Sequence, residues 1–145
     1  MISRPTSTAE LQEDKEITKI VYNYYCEHYK NSQQAFDEFK KLNTFMKHNP
    51  FTTKFVKFGN IVFLLKLEGS EVEFHSLGKE SSMFAYFKDL RQLRDYVKGL
   101  NVTAMYSYSN DRTFELMFRR DNLNFTKDRR VAPDGVTYSY YRLEF

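Results

Sequence analysis

Residues 73–90 read EFHSLGKESSMFAYFKDL, and this stretch decides the fold. A segment of alternating polar and apolar residues ends at a single glycine, Gly78, and an amphipathic helix follows. The first N–H groups of a helix have no partner inside the helix, so a strand, a turn and a helix start in this order form a frequent anion site. The stretch therefore raises the hypothesis of a phosphate-binding turn at residues 78–82.

Two helices are predicted upstream of this stretch. In the first, apolar residues recur with the 3.6-residue period, and Ser7 with Glu10 matches a capping box. The second opens at Ser32, and Pro50 forbids its continuation. The side chains predicted to face inward are Ile17, Ile20, Val21, Tyr24, Tyr25, His28, Phe36, Phe39 and either Leu42 or Met46.

Three strand candidates lie between these helices and the helix of the opening stretch. They read TTKFVKF, IVFLLKLE and EVEFHS, and the short links Gly59-Asn60 and Gly69-Ser70 separate them. Short links that contain glycine join antiparallel strands, so the three segments are expected to form a meander. The middle strand is apolar at every position from Ile61 to Leu65, which predicts burial on both faces.

The third helix is predicted from Ser82 to Lys98, with Met83 on the apolar stripe, Asp89 on the polar side and Gly99 ending the helix at positive φ. A strand (NVTAMYSYS), a short helix (NDRTFELMFRR) and two strands (NLNFTK and GVTYSYYRLEF) follow. With MISRPT as a first strand, the order becomes β-α-α-β-β-β-α-β-α-β-β. This order predicts an α+β fold in which helices flank both faces of a mixed, mostly antiparallel sheet.

Length and composition limit the function classes. The 145 residues fit one domain, taken as residues 1–145, and no segment reads as a signal peptide or a membrane span. The net charge of +3 is small, and acidic residues interrupt the basic C-terminal segment, so a solvated hairpin or a protein contact is favoured over nucleic-acid binding. Cys26, His28 and His48 lack the spacing of metal ligands.

The predicted order of elements resembles that of the GNAT superfamily, the acyl-CoA-dependent N-acyltransferases. MISRPTSTAEL looks like the family's opening strand, and VTAMYSYSNDRTFELMFRRDNLNF is similar to its strand–Asn–helix–strand passage. FGNIVFLLKLEGSEVEFHSLG looks like the small GNAT-like proteins of tailed bacteriophages. The resemblance covers nearly the whole chain as a pattern of elements, while each single motif is loose.

The resemblance implies a cofactor turn whose backbone amides hold the pyrophosphate of CoA. The family's Gln/Arg-x-x-Gly-x-Gly/Ala positions fall on Ser76, Lys79 and Ser81, so its key residues are replaced, and Gly78 sits one place early. The family's asparagine matches Asn110, and its proton-donating tyrosine matches Met117. The residues that this resemblance assigns to the cofactor are Gly78, Lys79, Ser81, Ser82 and Asn110. Its Gly-Phe pair falls near Asp121-Asn122, where Asn or Asp can take a left-handed conformation.

Each candidate position also has a structural interpretation. Ser81 or Ser82 can simply cap the third helix. Glu73 and His75 alternate on one strand face, where either can deprotonate an amine, but a solvated face with Val72 and Phe74 inward is favoured. In an active enzyme, Tyr106 or Tyr108 would replace the missing proton donor.

Two functions follow from these observations. The favoured hypothesis is a non-catalytic, phage-type GNAT-like protein that packs against other subunits of a virion or an assembly, located in the virion or the host cytoplasm. The alternative is an active N-acetyltransferase that uses acetyl-CoA on an amine, with Glu73, His75 and Tyr108 as catalytic residues. A nucleic-acid-binding module is the third and least favoured class.

Overall fold

The computed structural model describes residues 8–109 and 112–145, with side chains from residue 14 onward. Its helices are α1 (Thr8–His28), α2 (Ser32–His48), α3 (Met83–Lys98) and α4 (Thr113–Arg120). Its strands are β1 (Thr53–Phe58), β2 (Ile61–Glu68), β3 (Glu71–Gly78), β4 (Ala104–Ser109), β5 (Phe125–Val131) and β6 (Thr137–Glu144). The predicted order is confirmed from α1 onward. The predicted first strand at residues 1–6 and Ser7 of the capping box lie outside the described residues.

The six strands form one sheet in the order β1-β2-β3-β4-β6-β5. β1 runs antiparallel to β2, with Phe58 opposite Ile61 across the Gly59-Asn60 turn. β3 pairs with β4 in parallel, which is the geometry that a helical crossover such as α3 allows. β6 pairs antiparallel with both β4 and β5. The predicted α+β fold with a mixed, mostly antiparallel sheet is therefore confirmed.

The described chain divides into two compact units. The first contains the residues up to Lys66 together with Ser76–Ser81, and the second contains Leu67–His75 and the residues from Ser82 onward. Each unit is described by itself below. One domain over residues 1–145 stays a prediction.

The core of the first unit lies where α1 and α2 meet strand side chains. Its buried members are Ile17, Val21, Met46, Val62, Leu64 and Leu77. The five apolar residues at the start of β2 are buried, as predicted. Two predicted core positions are wrong, because His28 is exposed and Phe36 is 43% exposed while its neighbour Ala35 is fully buried. Neighbours on a helix lie about 100° apart, so shifting the inward face by one residue turns a large side chain to solvent.

In the second unit, α3 and α4 cover one face of the sheet. Phe114 of α4 contacts Phe74 edge-to-face, with ring centroids 5.3 Å apart, and it lies 6.0 Å from Tyr141 of β6. The buried residues of α3 include Phe87, Leu90, Leu93 and Val97, as predicted.

Three details predicted for α3 are wrong. Met83 is 49% exposed, because it is the first helical residue and projects beyond the packed part of the stripe. Asp89, expected on the polar side, is 2% exposed, because it lies next to Leu90 and one turn before Leu93 at the edge of the buried stripe. Gly99 has φ −68°, and Asn101 is the residue that takes the left-handed conformation after α3, with φ +60°.

Candidate functional site

The first candidate group is the pair of titratable side chains on β3. His75 Nε2 lies 2.7 Å from Glu73 Oε1, because residues two apart on a strand project from the same face. Val72 and Phe74 are buried on the opposite face, as predicted. The favoured interpretation of a solvated face is wrong at Glu73, which is only 8% exposed, whereas Glu71 and His75 are partly exposed. The structure therefore brings two of the three predicted catalytic residues together in a partly buried hydrogen bond.

The register of β3 and β4 places a tyrosine beside this pair. Glu73 lies opposite Tyr106, and this is the last of three parallel register pairs that begin at Glu71 and Ala104. One residue further, the side-chain hydroxyl of Ser107 donates a hydrogen bond of 2.7 Å to the carbonyl oxygen of Phe74. Glu73 thus occupies the end of the regular parallel ladder.

The hydroxyl of Tyr106 is protonated at neutral pH. Burial raises the pKa of its hydroxyl, and the nearby carboxylates of Glu73 and Glu68 raise it further, because a phenolate would be repelled there. Tyr108 contacts Tyr106, with ring centroids 6.2 Å apart. Of the two tyrosines that the sequence offered as acids, Tyr106 is therefore the one in register with Glu73.

The turn after β3 is built around packing inside the first unit. Gly78 has φ +110°, a conformation that residues with a side chain rarely adopt. A Cβ placed on Gly78 would lie 3.0 Å from the carbonyl oxygen of Asn60 and 3.0 Å from Cγ2 of Ile20. The chain's own neighbours therefore account for this glycine without any bound phosphate.

The polar residues of the turn have ordinary structural roles. Lys79 Nζ lies 3.2 Å from Glu27 Oε2, and both side chains are exposed, so this ion pair contributes little stability. Ser81 is exposed. Ser82 is the N-cap of α3, and its Oγ accepts a 3.1 Å hydrogen bond from the N–H of Ala85, which confirms the capping interpretation. Asn110, the remaining predicted cofactor residue, lies outside the described residues.

Two other positions of the resemblance fall in and after α4. Met117, which stands where the family has its proton-donating tyrosine, is 1% exposed and part of the core of the second unit. Asn122 has φ +53°, so the left-handed turn predicted near Asp121-Asn122 is confirmed. The local backbone thus follows the expected pattern while the side chain at position 117 carries no acid–base chemistry.

Several basic side chains near the C-terminus bind partners within the chain. Glu115, which the sequence did not single out, is buried and takes hydrogen bonds of 3.1 Å from Arg119 and 3.0 Å from Lys127. These bonds, Lys127 first, lower the pKa of the Glu115 carboxyl. Arg91 makes two 2.8 Å hydrogen bonds to the carboxylate of Asp121.

Two further features are absent from residues 8–109 and 112–145. No cluster of three or more metal-ligating side chains occurs among them. No helix in this part of the chain combines the length and the apolar character that crossing a membrane requires. Cys26 is an exposed free thiol.

No family model matches the sequence, and no curated protein matches it. Solved structures match it clearly. An aminoglycoside 6′-acetyltransferase type Ii superposes with a TM-score of 0.58 and 14% identity over 99% of this chain and 97% of that chain. A PaiA N-acetyltransferase from Thermoplasma acidophilum, solved in complex with coenzyme A, superposes with a TM-score of 0.57 and 9% identity. The match covers 93% of this chain and 94% of that chain.

A ribosomal-protein-alanine N-acetyltransferase from Brucella melitensis gives a TM-score of 0.56 and 10% identity over all of both chains. An acetyltransferase of the GNAT family from Staphylococcus aureus gives a TM-score of 0.53 and 13% identity, over 92% of this chain and 93% of that chain. Identities this low establish the fold and leave the activity open. The chain has the fold of the GNAT acetyltransferases.

Proposed function

We propose that this protein is an acyl-CoA-dependent N-acyltransferase in which Glu73 and His75 form the base and Tyr106 is the acid. The observation that carries the proposal is the 2.7 Å hydrogen bond between Glu73 and His75, at the strand position that lies opposite Tyr106. A buried carboxylate, an imidazole and a protonated phenol on adjacent strands are the groups that amine acylation needs.

The roles follow from the charge that each group carries. An amine attacks a thioester only when it is neutral, so a base must remove a proton from the ammonium form. Glu73 accepts that proton directly or through His75, whose half-exposed ring leads it to solvent. Tyr106, whose raised pKa keeps its hydroxyl protonated at neutral pH, supplies a proton to the departing sulfur. Acyl-CoA supplies the activated thioester.

Support for the CoA phosphates is narrower than in the family's motif. Gly78 is the one glycine in the stretch from Ser76 to Ser82. The position that a Cβ would take on Gly78 lies against atoms of Asn60 and Ile20 and is not open to a ligand. Lys79, whose side chain is 81% exposed, is the charged group of this stretch that can approach a pyrophosphate. We therefore expect weaker CoA binding than a glycine-rich turn would give.

The test measures transfer and binding separately. Wild-type protein, acetyl-CoA and a panel of amines are incubated, and the release of free thiol is followed. Glu73→Gln should lower kcat at least about 100-fold, because it removes a general base. Glu38→Gln, on α2 where the half-buried Glu38 side chain pairs with Lys41, should leave kcat unchanged. Absence of acetyl-CoA binding at high micromolar concentration in calorimetric titration would reject the proposal.

A second candidate function is a non-catalytic subunit of a bacteriophage particle or assembly. It is favoured by Met117, which is buried where the family has a tyrosine, and by Gly78, which packs on its own chain. The partners would then be other protein subunits, in the virion or the host cytoplasm. This function requires stoichiometric copurification with particles and normal assembly in a Glu73→Gln variant. Absence from purified particles would reject it.

A further inference from the structure

Three tyrosine rings cluster on the strands next to the proposed base. The tyrosine cluster consists of Tyr106 and Tyr108 on β4 and Tyr140 on β6. Ring centroids lie 5.6 Å apart for Tyr106 and Tyr140 and 5.3 Å apart for Tyr108 and Tyr140. Tyr106 and Tyr108 are half-buried, so parts of both rings are accessible. The cluster presents an aromatic surface beside Glu73.

The register shows which charges share this surface. Residues directly opposite each other lie on one face, so Glu73, Tyr106 and Arg142 face the same way, as do Tyr108, Tyr140 and Asp128. On the four strands β3 to β6, this face carries the carboxylates Glu71, Glu73, Asp128 and Glu144 and the guanidinium groups Arg130 and Arg142. Arg142 is hydrogen-bonded to both Glu71 and Glu144. Arg130 lies 3.4 Å from Asp128, and His75 also lies on this face. The carboxylates of the face outnumber its guanidinium groups by two, although the whole chain has a net charge of +3.

One cation of the chain itself already occupies a ring of the cluster. The Arg130 guanidinium carbon lies 3.9 Å from the centroid of the Tyr140 ring, which is close for a cation–π contact. The other face of the same strands differs, because α3 and α4 cover it with Phe87, Phe114 and Phe118. The aromatic groups on the face that carries Glu73 are thus arranged to hold positive charge.

Resting on the proposed function, we propose that the acceptor is an aliphatic amine with a second nitrogen, protonated at neutral pH, that sits against Tyr106 and Tyr108. The reacting nitrogen must be neutral when it attacks, so it cannot keep a cation–π contact with the rings during the reaction. A second nitrogen that stays charged can keep that contact. Adjacent strands lie about 4.8 Å apart with a rise of about 3.3 Å per residue, so Tyr108 is roughly 8 Å from Glu73. In an extended zigzag chain the advance per bond is shorter than the bond itself, so about five methylene groups between two nitrogens span that distance.

The first experiment measures binding without CoA, so that its result does not depend on catalysis. The probes for calorimetric titration are 1,5-diaminopentane, n-pentylamine and a short peptide with two adjacent lysines. The diamine should bind about tenfold or more tightly than the monoamine, and added salt should weaken its binding. The diamine and the peptide both carry two ammonium groups. Tighter binding of the diamine would indicate a small-molecule acceptor, and tighter binding of the peptide would indicate lysine side chains of a protein.

Variants of Tyr108 test the role of the ring. Tyr108→Leu should weaken diamine binding about tenfold, whereas Tyr108→Phe should bind like the wild type, because the phenyl ring retains a cation-binding face. Glu68→Gln removes an exposed carboxylate near Tyr106 and should weaken diamine binding a few fold. This surface variant still tests the site if Tyr108→Leu does not fold. Glu38→Gln on α2 is the control without effect.

The outcomes separate the two proposals. Equal affinity for diamine and monoamine, or full binding by folded Tyr108→Leu, would overturn the acceptor assignment. Diamine binding without any acetyl transfer would support the site and reject the proposed function. Transfer to monoamines and diamines at the same kcat/KM would support the function and reject the acceptor class.

Discussion

The turn at residues 78–82 and the strand face that carries Glu73 lie within ten residues of each other, and they differ in what their side chains contact. At the turn, Gly78 packs on Ile20 and Asn60, and Ser82 caps α3. On the strand, two titratable groups bind each other at 2.7 Å instead. The shape of the turn is therefore explained by packing and helix capping alone. The strand face differs, because its buried carboxylate and its imidazole are groups that can transfer protons.

This difference also explains why the position of the turn in the fold is a poor guide to its function. A strand, a turn and a helix are held by a glycine with positive φ and a serine cap whether or not a phosphate binds there. A buried carboxylate is costly without hydrogen bonds, so its presence in a small sheet calls for a reason. The strand face is therefore the more informative of the two regions.

The largest expected effect is on catalysis at the strand face. Tyr106→Phe removes the proton donor while it keeps the ring, so kcat should fall about 100-fold with little change in the unfolding midpoint. Tyr138→Phe, on the exposed hairpin of β5 and β6, is the matched control and should keep wild-type kcat. Thiol release under saturating substrates measures both. Full activity of Tyr106→Phe would assign the proton transfer to another group.

The next largest effect is on stability at the turn. Gly78→Ala should lower the free energy of unfolding by about 2–3 kcal/mol, because a Cβ at φ +110° also meets two atoms at 3.0 Å. Gly69→Ala is the control, with φ +63° and no atom within 4 Å, and should cost about 1 kcal/mol. Urea unfolding of both variants gives the difference. Equal losses would show that the contacts with Ile20 and Asn60 are unimportant.

The smallest effect concerns the two serines of the turn. Ser82→Ala should lower the free energy of unfolding by about 1 kcal/mol, because the N–H of Ala85 loses its acceptor. Ser81→Ala, one residue earlier and exposed, should change it by less than about 0.5 kcal/mol. Thermal unfolding of the pair at one protein concentration checks this. A larger loss for Ser81→Ala than for Ser82→Ala would show that Ser81, and not Ser82, caps α3.

The sequence predicted the elements well, since each depends on local chemistry. The links at Gly59 and Gly69 both take positive φ, near +60°, and the solid apolar run of β2 is buried. The errors at Phe36 and Asp89 share one cause: a helix pattern gives the direction of the inward face only to within about one residue, or 100°. Which of two neighbours is buried depends on the surface that the helix meets.

For the candidate site, the sequence alone determined that Glu73 and His75 share a strand face and that residue 82 can cap a helix, because periodicity and capping are properties of neighbouring residues. Only the tertiary structure decided that Glu73 is buried, that Tyr106 rather than Tyr108 lies opposite it, and that Gly78 serves its own chain. Strand register and close packing join residues far apart in sequence, and no local pattern encodes those distances.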